Sequence, residues 1–333
     1  MKAAQTTRYD KKNINLSIVE APKPSIGAHE VLIKVSAAGL NPLDNMITRG
    51  DVKLLAPYTL PLTAGNELVG TIEEIGSAVT EFTTGERVYT RLPIARPGAF
   101  ATYAAAPADA IARVPEYLSD IEAAAIPLTA LTVMQAFDLM NIEAGKTIFI
   151  SGGTGGVGAM AIPLAHAKGL KVITNGNGSN KERVLALGAD RFIDYKSEDY
   201  TQILSNIDYV LDTLGGAETE KQMSIMRPGG KLVSLKGMPN GAFARRFGLP
   251  RWKQILLSLA GRKLDKMARS YGVSYDFIFV EANGAQLREV SEIFTRHSIK
   301  PSIDTVYPFE EVNAALDKIA NGSSRGKTVL KVA

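Results

Sequence analysis

The sequence predicts an α/β protein of two domains, a compact and partly open β-barrel followed by a doubly wound parallel sheet. Three observations point there. Short strands punctuated by Gly and Pro fill the chain to about residue 119, strands and helices alternate from Lys146 onward, and 333 residues suffice for two hydrophobic cores. Hydrophobic content of 45% and charged content of 22% are ordinary for a soluble globular chain. No apolar run approaches the roughly 18 residues a membrane span needs, and the N-terminal MKAAQTTRYDKKN lacks a signal-peptide core. A cytoplasmic protein is the expectation. The absence of cysteine excludes disulfides, thiolate catalysis and cysteine-ligated zinc. His29, His166 and His297 stand far apart and read as surface or packing residues.

In chain order, residues 31–35 alternate as a strand, 68–75 form another that ends at Gly76, and 87–90 and 99–104 two more. Asn41-Pro42, Pro57, Pro61, Gly65, Gly85 and Pro97-Gly98 lie between them as turn residues. Ser119 and Glu122 stand at capping-box spacing and open an alanine-rich helix, which Pro127 breaks or kinks before a second helical run over 128–140. Beyond the glycine stretch, 207–211 and 231–235 read as further parallel strands with a helix over 217–226 between them. A strand over 275–280, a helix opened by Asn283 and Gln286, a helix over 308–320 and a last strand over 328–332 complete the chain.

The stretch from Lys146 to Tyr195 organises the rest. The apolar, β-branched run TIFIS (147–151) leads into Gly152, Gly153, Thr154, Gly155, Gly156, Val157 and Gly158, and a helical run over 159–167 follows. Gly153, Gly155 and Gly158 satisfy G-x-G-x-x-G in strand-turn-helix context. The first glycine permits a tight turn, the second lets a pyrophosphate approach the backbone, and the third lets helix and strand pack closely. The backbone from Thr154 to Val157 then faces a dinucleotide at a helix N-terminus. A second strand, 171–174, runs into Asn175-Gly176-Asn177-Gly178 with no acidic residue where NAD enzymes place one for the ribose, and Lys181 and Arg183 lie just beyond.

Charge is concentrated in one place. Between Arg245 and Arg269 eight basic residues face one acid, Asp265, so this segment carries +7 of a chain total of +4 and the remainder sums to −3. Trp252, Ile255, Leu256 and Leu259 recur there at helical spacing. The segment reads as a surface helix packing its apolar stripe on the sheet, with membrane or acyl-chain contact and nucleic-acid contact as the other readings.

The motifs AGLNPLDNMITRG (38–50), GNELVGTIEEIGSAVTEFTTGERV (65–88), PLTALTVMQAF (127–137), SGGTGGVG (151–158), LGADRFIDY (187–195), VLDTLGG (210–216) and GKTVL (326–330) occur in one order along the chain. In that order the sequence resembles the zinc-independent quinone oxidoreductase branch of the medium-chain dehydrogenase/reductases. The resemblance implies a GroES-like domain over 1–125, completed by about 282–333. It also implies a Rossmann NADP-binding domain over 126–281 with a basic helical insertion at about 240–272. Zinc-dependent relatives carry cysteine, histidine and cysteine at positions matching Asn41, Asn66 and, approximately, Leu128, so no metal is expected here. Without a Lewis acid of that kind an alcohol is not readily ionised, and the substrate should already be electrophilic.

The resemblance also implies NADPH as cofactor, bound through Ser179 or Asn177, Lys181 and Tyr195. Ser179 reads equally as a cap for the next helix through Glu182. Thr129 is implied at the nicotinamide end, against the alternative of a helix cap, and backbone near Leu214, Lys236, Phe277 and Phe279 is implied along the cofactor. Lys327 reads either as a partner of the adenosine phosphate or as a solvated surface lysine. Asn41, Asp44 and Tyr58 are the candidates at the reacting end. Asn41 is read as a donor to the carbonyl oxygen or a turn residue held by Pro42, Asp44 as an orienting group, and Tyr58 as a proton source or a packed aromatic. The reaction implied is hydride transfer to a quinone or to the β-carbon of an enone or enal. An acyl-thioester reductase and a non-catalytic NADPH-sensing or RNA-binding protein are the alternatives. A homodimer through the 275–280 strand is implied as well.

Overall fold

The computed structural model describes residues 1–11, 14–322 and 326–333. The chain divides into two compact units, Met1–Leu131 with Glu281–Ala333, and Thr132–Val280. The first division falls inside a helix.

The first unit opens with β1 (Lys2–Thr6), β2 (Ser17–Glu20), β3 (Glu30–Gly39), α1 (Pro42–Arg49), β4 (Leu62–Thr63), β5 (Glu67–Ile75), β6 (Arg87–Arg91), β7 (Tyr103–Pro107), β8 (Ile111–Arg113) and α2 (Asp120–Ala124). The helix α3 (Pro127–Met140) leads into the second unit. There follow β9 (Thr147–Ile150), α4 (Gly156–Ala167), β10 (Lys171–Gly176), α5 (Lys181–Ala186), β11 (Arg191–Asp194), α6 (Tyr200–Ile203), β12 (Ile207–Asp212), α7 (Ala217–Ser224), β13 (Met226–Ser234), α8 (Gly241–Arg246), α9 (Arg251–Ser270) and β14 (Ser274–Phe277). The chain then returns to the first unit with α10 (Gly284–His297), β15 (Ile303–Pro308), α11 (Val312–Ala320) and β16 (Lys327–Lys331).

The first unit holds a three-stranded sheet, β2-β1-β4, and a seven-stranded sheet, β15-β16-β3-β5-β6-β8, with β7 also paired to β3. The long β3 runs antiparallel to β5, β7 and β16, and alternation along Val31, Ile33 and Val35 turns these side chains into the core. Phe309, Val312, Leu316 and Leu330 from the chain's last segment share that core, so this unit is complete only with both ends of the chain. Tyr89 on β6 fixes the return at a polar point: its hydroxyl donates to Leu287 O at 3.0 Å and lies 2.7 Å from Ser291 Oγ on α10.

The second unit is one parallel sheet in the order β11-β10-β9-β12-β13-β14. This is the doubly wound Rossmann order, whose strand sequence reverses between β9 and β12. Ligands of such sheets sit at the carboxyl ends of the strands beside that reversal.

Several elements differ from the sequence reading, each for a local reason. The turn read at Asn41-Pro42 is the start of α1, because proline fits the first helical position, where no N–H partner is needed. The strand read at 99–104 begins only at Tyr103; Phe100 is drawn out of it into the core against Gly65. The helix after the glycines starts at Gly156, three residues early. The strand read at 275–280 stops at Phe277. Of the helix read over 308–320, Pro308 closes β15 and the α-helix begins at Val312. The Ser119–Glu122 capping box is present, while the one that Ser179 offered as an alternative to cofactor contact is not: Asn177 Oδ1 accepts from Ser179 N and Oγ instead.

Replacing Tyr89 by Phe should leave the Leu287 and Ser291 groups short of a buried partner and lower stability by about 1–2 kcal/mol, read from the shift of the urea transition.

Candidate functional site

Two groups of residues carry chemistry, one in each unit. In the second unit the glycines of the turn after β9 differ in the space that a Cβ would have. At Gly153 it would lie 2.2 Å from Thr174 Oγ1, so the turn is pressed onto β10. At Gly158 it would lie 2.4 Å from Gly152 O and 2.5 Å from Gly153 Cα, so α4 packs directly on the turn. At Gly155 it would meet only Gly152 O, at 3.5 Å, and otherwise open space. The two outer glycines permit close packing and the middle one leaves room for a ligand against the backbone, which is what a pyrophosphate needs. Gly155 caps α4, whose first N–H groups have no partner within the helix and face that space with the positive end of the helix dipole. The turn is held from β10: Asn175 Oδ1 accepts from Gly152 N at 2.8 Å and Asn175 O from Gly153 N at 3.0 Å.

Across the strand reversal, Asp212 at the end of β12 fixes the opposite wall. Its buried carboxylate accepts from Leu214 N, Gly215 N, Thr219 Oγ1, Gln222 Nε2 and Ser234 Oγ at 2.7–3.0 Å. Leu214 is thereby held exposed beside the glycine turn, and Gly215 lies against Lys236 O. The residues Gly152, Thr154, Gly176, Tyr195, Leu214 and Glu218 line one cleft of ≈ 720 Å³. A cleft of this volume can take a nucleotide-sized ligand, with Glu198, Asp199 and Glu218 on its wall.

At the far end of β10 the chain departs from the simplest expectation. Lys181 is exposed, and among the described residues no carboxylate is within ion-pair distance of it. Tyr195 is 57% exposed and lines the cleft. Arg183 folds back onto the glycine turn, Nη2 donating to Thr154 O at 3.0 Å, with Nη1 buried and unpartnered. One acid reaches this region from the neighbouring strand: a Cβ on Gly178 would lie 2.2 Å from Asp194 Oδ2. Sequence distance from β10 concealed it, because β10 and β11 pair in parallel.

The first unit brings together Asn41, Asp44, Asn66, Glu67, Arg91 and Lys327, all buried. Lys327 Nζ lies 2.5 Å from Glu67 Oε1 and 2.6 Å from Asn41 Oδ1. Glu67 also accepts from Asn41 Nδ2 at 2.8 Å and, through its second oxygen, from Leu128 N at 2.6 Å. Asp44 accepts from Asn66 Nδ2 at 2.6 Å and Asn41 N at 2.7 Å. Burial nevertheless raises its pKa from 3.8 to about 7, with Glu67 adding to the rise and the two hydrogen bonds and Lys327 opposing it. Arg91 donates through Nη1 to Leu92 O, while its Nε and Nη2 are buried without partners. Burial lowers the guanidinium to about 10, with Tyr58, Asp44 and Glu67 pulling the other way. Tyr58 is half-buried and pushed up to about 12, chiefly by burial, so its hydroxyl holds its proton at neutral pH.

These donors do not fit a zinc ion. Leu128 offers no ligand atom, Asn66 turns its amide nitrogen to Asp44, and the oxygens of Asn41 and Glu67 already surround an ammonium. Among the described residues no three His, Asp or Glu side chains are placed to hold a metal.

Both readings of Lys327 are corrected here: it is neither solvated nor free for a phosphate, because its ammonium is consumed by Glu67 and Asn41 in the interior. Thr129 is not a cap; it is buried in α3 and donates to Ala125 O and Ile126 O in the preceding turn. Phe277 carries an edge-on contact with Phe243, and its carbonyl accepts from Arg246 Nη2 at 2.7 Å; Phe279 packs on Phe247. Glu67 and Arg91 escaped the sequence reading. The signal was a pair of charged residues at facing ends of two alternating apolar strands, where Glu67 and Arg91 pair in register.

Comparison with known proteins agrees with both halves. The family "Alcohol dehydrogenase GroES-like domain" matches residues 27–116 and the family "Zinc-binding dehydrogenase" matches 187–330. The chain is 32% identical over 346 residues to the mitochondrial NAD(P)H oxidoreductase RTN4IP1 of Danio rerio, covering 96% of this chain and 87% of that protein. It is 29% identical to the 2-methylene-furan-3-one reductase of Solanum lycopersicum, covering 99% and 79%. The solved quinone oxidoreductase of Coxiella burnetii superposes with a TM-score of 0.84 at 28% identity, covering 100% and 99%.

Two outcomes follow from the geometry. Because the Asp44 carboxyl keeps its proton in the folded chain up to about pH 7, against 3.8 ordinarily, its contribution to stability is full below about pH 4 and is lost as pH rises through 7. Urea unfolding from pH 4 to 8 should show that decline, on the order of a few kcal/mol, and Asp44→Asn should flatten it. Gly158→Ala forces a methyl onto Gly152 and Gly153 and should weaken dinucleotide binding at least tenfold by calorimetry, whereas Gly85→Ala, also a turn glycine but away from this turn, should not.

Proposed function

We infer that this chain, which belongs to the quinone oxidoreductase-type branch of the medium-chain dehydrogenase/reductase superfamily, is an NADPH-dependent reductase of quinones and α,β-unsaturated carbonyls. The observation that carries the reading is the glycine turn, closed by packing at Gly153 and Gly158 and open at Gly155 beside the strand reversal. When bound, the reduced nicotinamide supplies a hydride. The chain's own contribution is positional and electrostatic. The backbone N–H groups of Thr154, Gly156 and Val157 would receive the pyrophosphate, the Gly155 N–H being held by Gly152 O; Asp212 would hold the Leu214 wall, and Lys181 with Tyr195 and Ser179 or Asn177 would surround the 2′-phosphate. In the first unit Asp44, with a pKa near neutrality, and Tyr58, protonated below about pH 12, are the groups able to hold a proton for a developing oxyanion. The unpartnered donors of Arg91 add a positive electrostatic field to the same cluster. A set of donors that cannot hold zinc suits an acceptor that is already electrophilic, and the tomato relative's name describes an enone reductase.

Asp194 supports a second reading of cofactor choice, NADH, since a carboxylate beside Gly178 disfavours a 2′-phosphate. The exposed, unpaired Lys181 favours NADPH. A homodimer through the β14 strand would have to displace side chains that already hold its outer edge, since Phe277 O accepts from Arg246 Nη2 and Tyr275 O from Asn240 Nδ2.

Absorbance of NADPH and NADH should be followed at fixed salt with a naphthoquinone, acrolein and a crotonyl thioester. Oxidation of NADPH with the first two is expected. Turnover of the thioester alone would replace this reading, and no oxidation with any acceptor would end it. Lys181→Ala should raise KM for NADPH at least tenfold and leave KM for NADH within twofold; equal loss for both would reject the 2′-phosphate assignment.

A further inference from the structure

The helix α9 does not pack through the stripe its sequence suggests. Its contact face is made of Leu257, Gly261 and Ala268, which are buried. Gly261 approaches so closely that a Cβ would lie 2.5 Å from Asn240 Cβ, and Asp265 accepts from Asn240 Nδ2 at 2.7 Å. Asn240 is itself fixed as the cap of α8, through Oδ1 to Phe243 N. These contacts lock the rotation of α9. The stripe Trp252, Ile255, Leu256 and Leu259 therefore points to solvent, 59%, 64%, 45% and 65% exposed.

The same solvent face changes character along its length. At 100° per residue, Lys263 and Lys266 fall on the line of Trp252 and Leu259, with Arg262 and Arg269 to one side and Arg251 beside the apolar half. All five are exposed, and among the described residues none has a carboxylate within ion-pair distance. The lone acid of the segment, Asp265, is turned inward to Asn240. Lys253 lies 5.5 Å over the Trp252 ring. The outer face of α9 is thus an apolar half and a cationic half on one 20-residue helix.

We propose that the outer face of α9 docks this protein on an anionic lipid bilayer, with Trp252, Ile255, Leu256 and Leu259 entering the interface and Lys263, Lys266, Arg262 and Arg269 meeting the head groups. An interfacial helix combines these two properties, apolar insertion and attraction to anionic lipid. A second copy does not complement the face: an antiparallel pairing sets the apolar half of each helix on the cationic half of the other, and a parallel pairing sets cation on cation. A nucleic acid would use the cations but leave Ile255, Leu256 and Leu259 in water, and one tryptophan provides no stacking platform. Among the described residues no helix is long and apolar enough to cross a membrane, so the attachment lies in the interfacial plane. This inference concerns the surface of the second unit and stands whether or not the catalytic reading does.

Trp252 is the only tryptophan of the chain and so reports on the contact directly. The full chain is mixed with phosphatidylcholine vesicles containing 0 or 30 mol % phosphatidylglycerol, and emission, quenching by brominated lipid and co-sedimentation are recorded. Blue-shifted, lipid-quenched emission and sedimentation with the anionic vesicles are expected, with little of either for the neutral ones and loss at high salt. Lys263→Gln with Lys266→Gln should reduce partitioning about tenfold or more, and Ile255→Ser with Leu259→Ser should abolish the blue shift, both at unchanged circular dichroism. Three results would overturn the proposal: no shift with anionic vesicles; a concentration-dependent oligomer that buries Trp252 without lipid; or salt-sensitive RNA binding that Ile255→Ser with Leu259→Ser leaves intact.

Discussion

The interior ion pair between Lys327 and Glu67 is the constraint on which the first unit depends. Both side chains are shielded from water, and charges so placed are tolerable only when each is paired and its remaining valences are met. Asn41 meets them on both sides, giving its amide hydrogen to Glu67 and its oxygen to Lys327, and the Leu128 N–H serves the other carboxylate oxygen. Removing either partner would strand a charge in the core, so β3, β5, α3 and β16 are tied to one geometry. The arrangement also explains why the neighbouring Asp44 is poised near neutrality. Burial is the main reason a second charge is costly here, Glu67 adds to that cost, and the two hydrogen bonds and Lys327 offset only part of it.

The second unit solves a different problem, the close approach of backbone to ligand. There the constraint is steric. Gly153 and Gly158 are required because neighbouring atoms already occupy the place of a side chain, while at Gly155 only Gly152 O stands near, at 3.5 Å. Asn175 from one strand and Asp212 from another hold the walls, so the shape of the cleft is set by polar side chains at strand ends and not by the loops alone.

How much of this was legible in the sequence depends on the distance over which the chain must be read. The glycine turn, its flanking strand and helix, and the box at Ser119 involve residues within a few positions of one another, and their pattern states their geometry. The interior network could not be read in that way: Asn41 and Lys327 stand 286 positions apart, and a lone lysine near a C-terminus looks like any surface lysine. For Ser179 the cap reading fails because two caps compete within three residues, and Asn177 reaches the backbone first. For α9 periodicity established that the helix is amphipathic but not which face is inside. Gly261 decided that, because the absence of a side chain there lets the helix close onto Asn240 through the face that carries Leu257 and Ala268. The larger apolar stripe was left outside.

Because the first unit is assembled from the two ends of the chain, synthesis and folding are separated in time. While the last segment is still to come, β3 lacks β16 and Glu67 lacks Lys327, whereas the second unit is one continuous stretch that precedes it. Until β16 arrives, β3 therefore keeps an open edge of the kind that pairs with other chains. Truncation near residue 326 would remove the strand that ends that vulnerable interval.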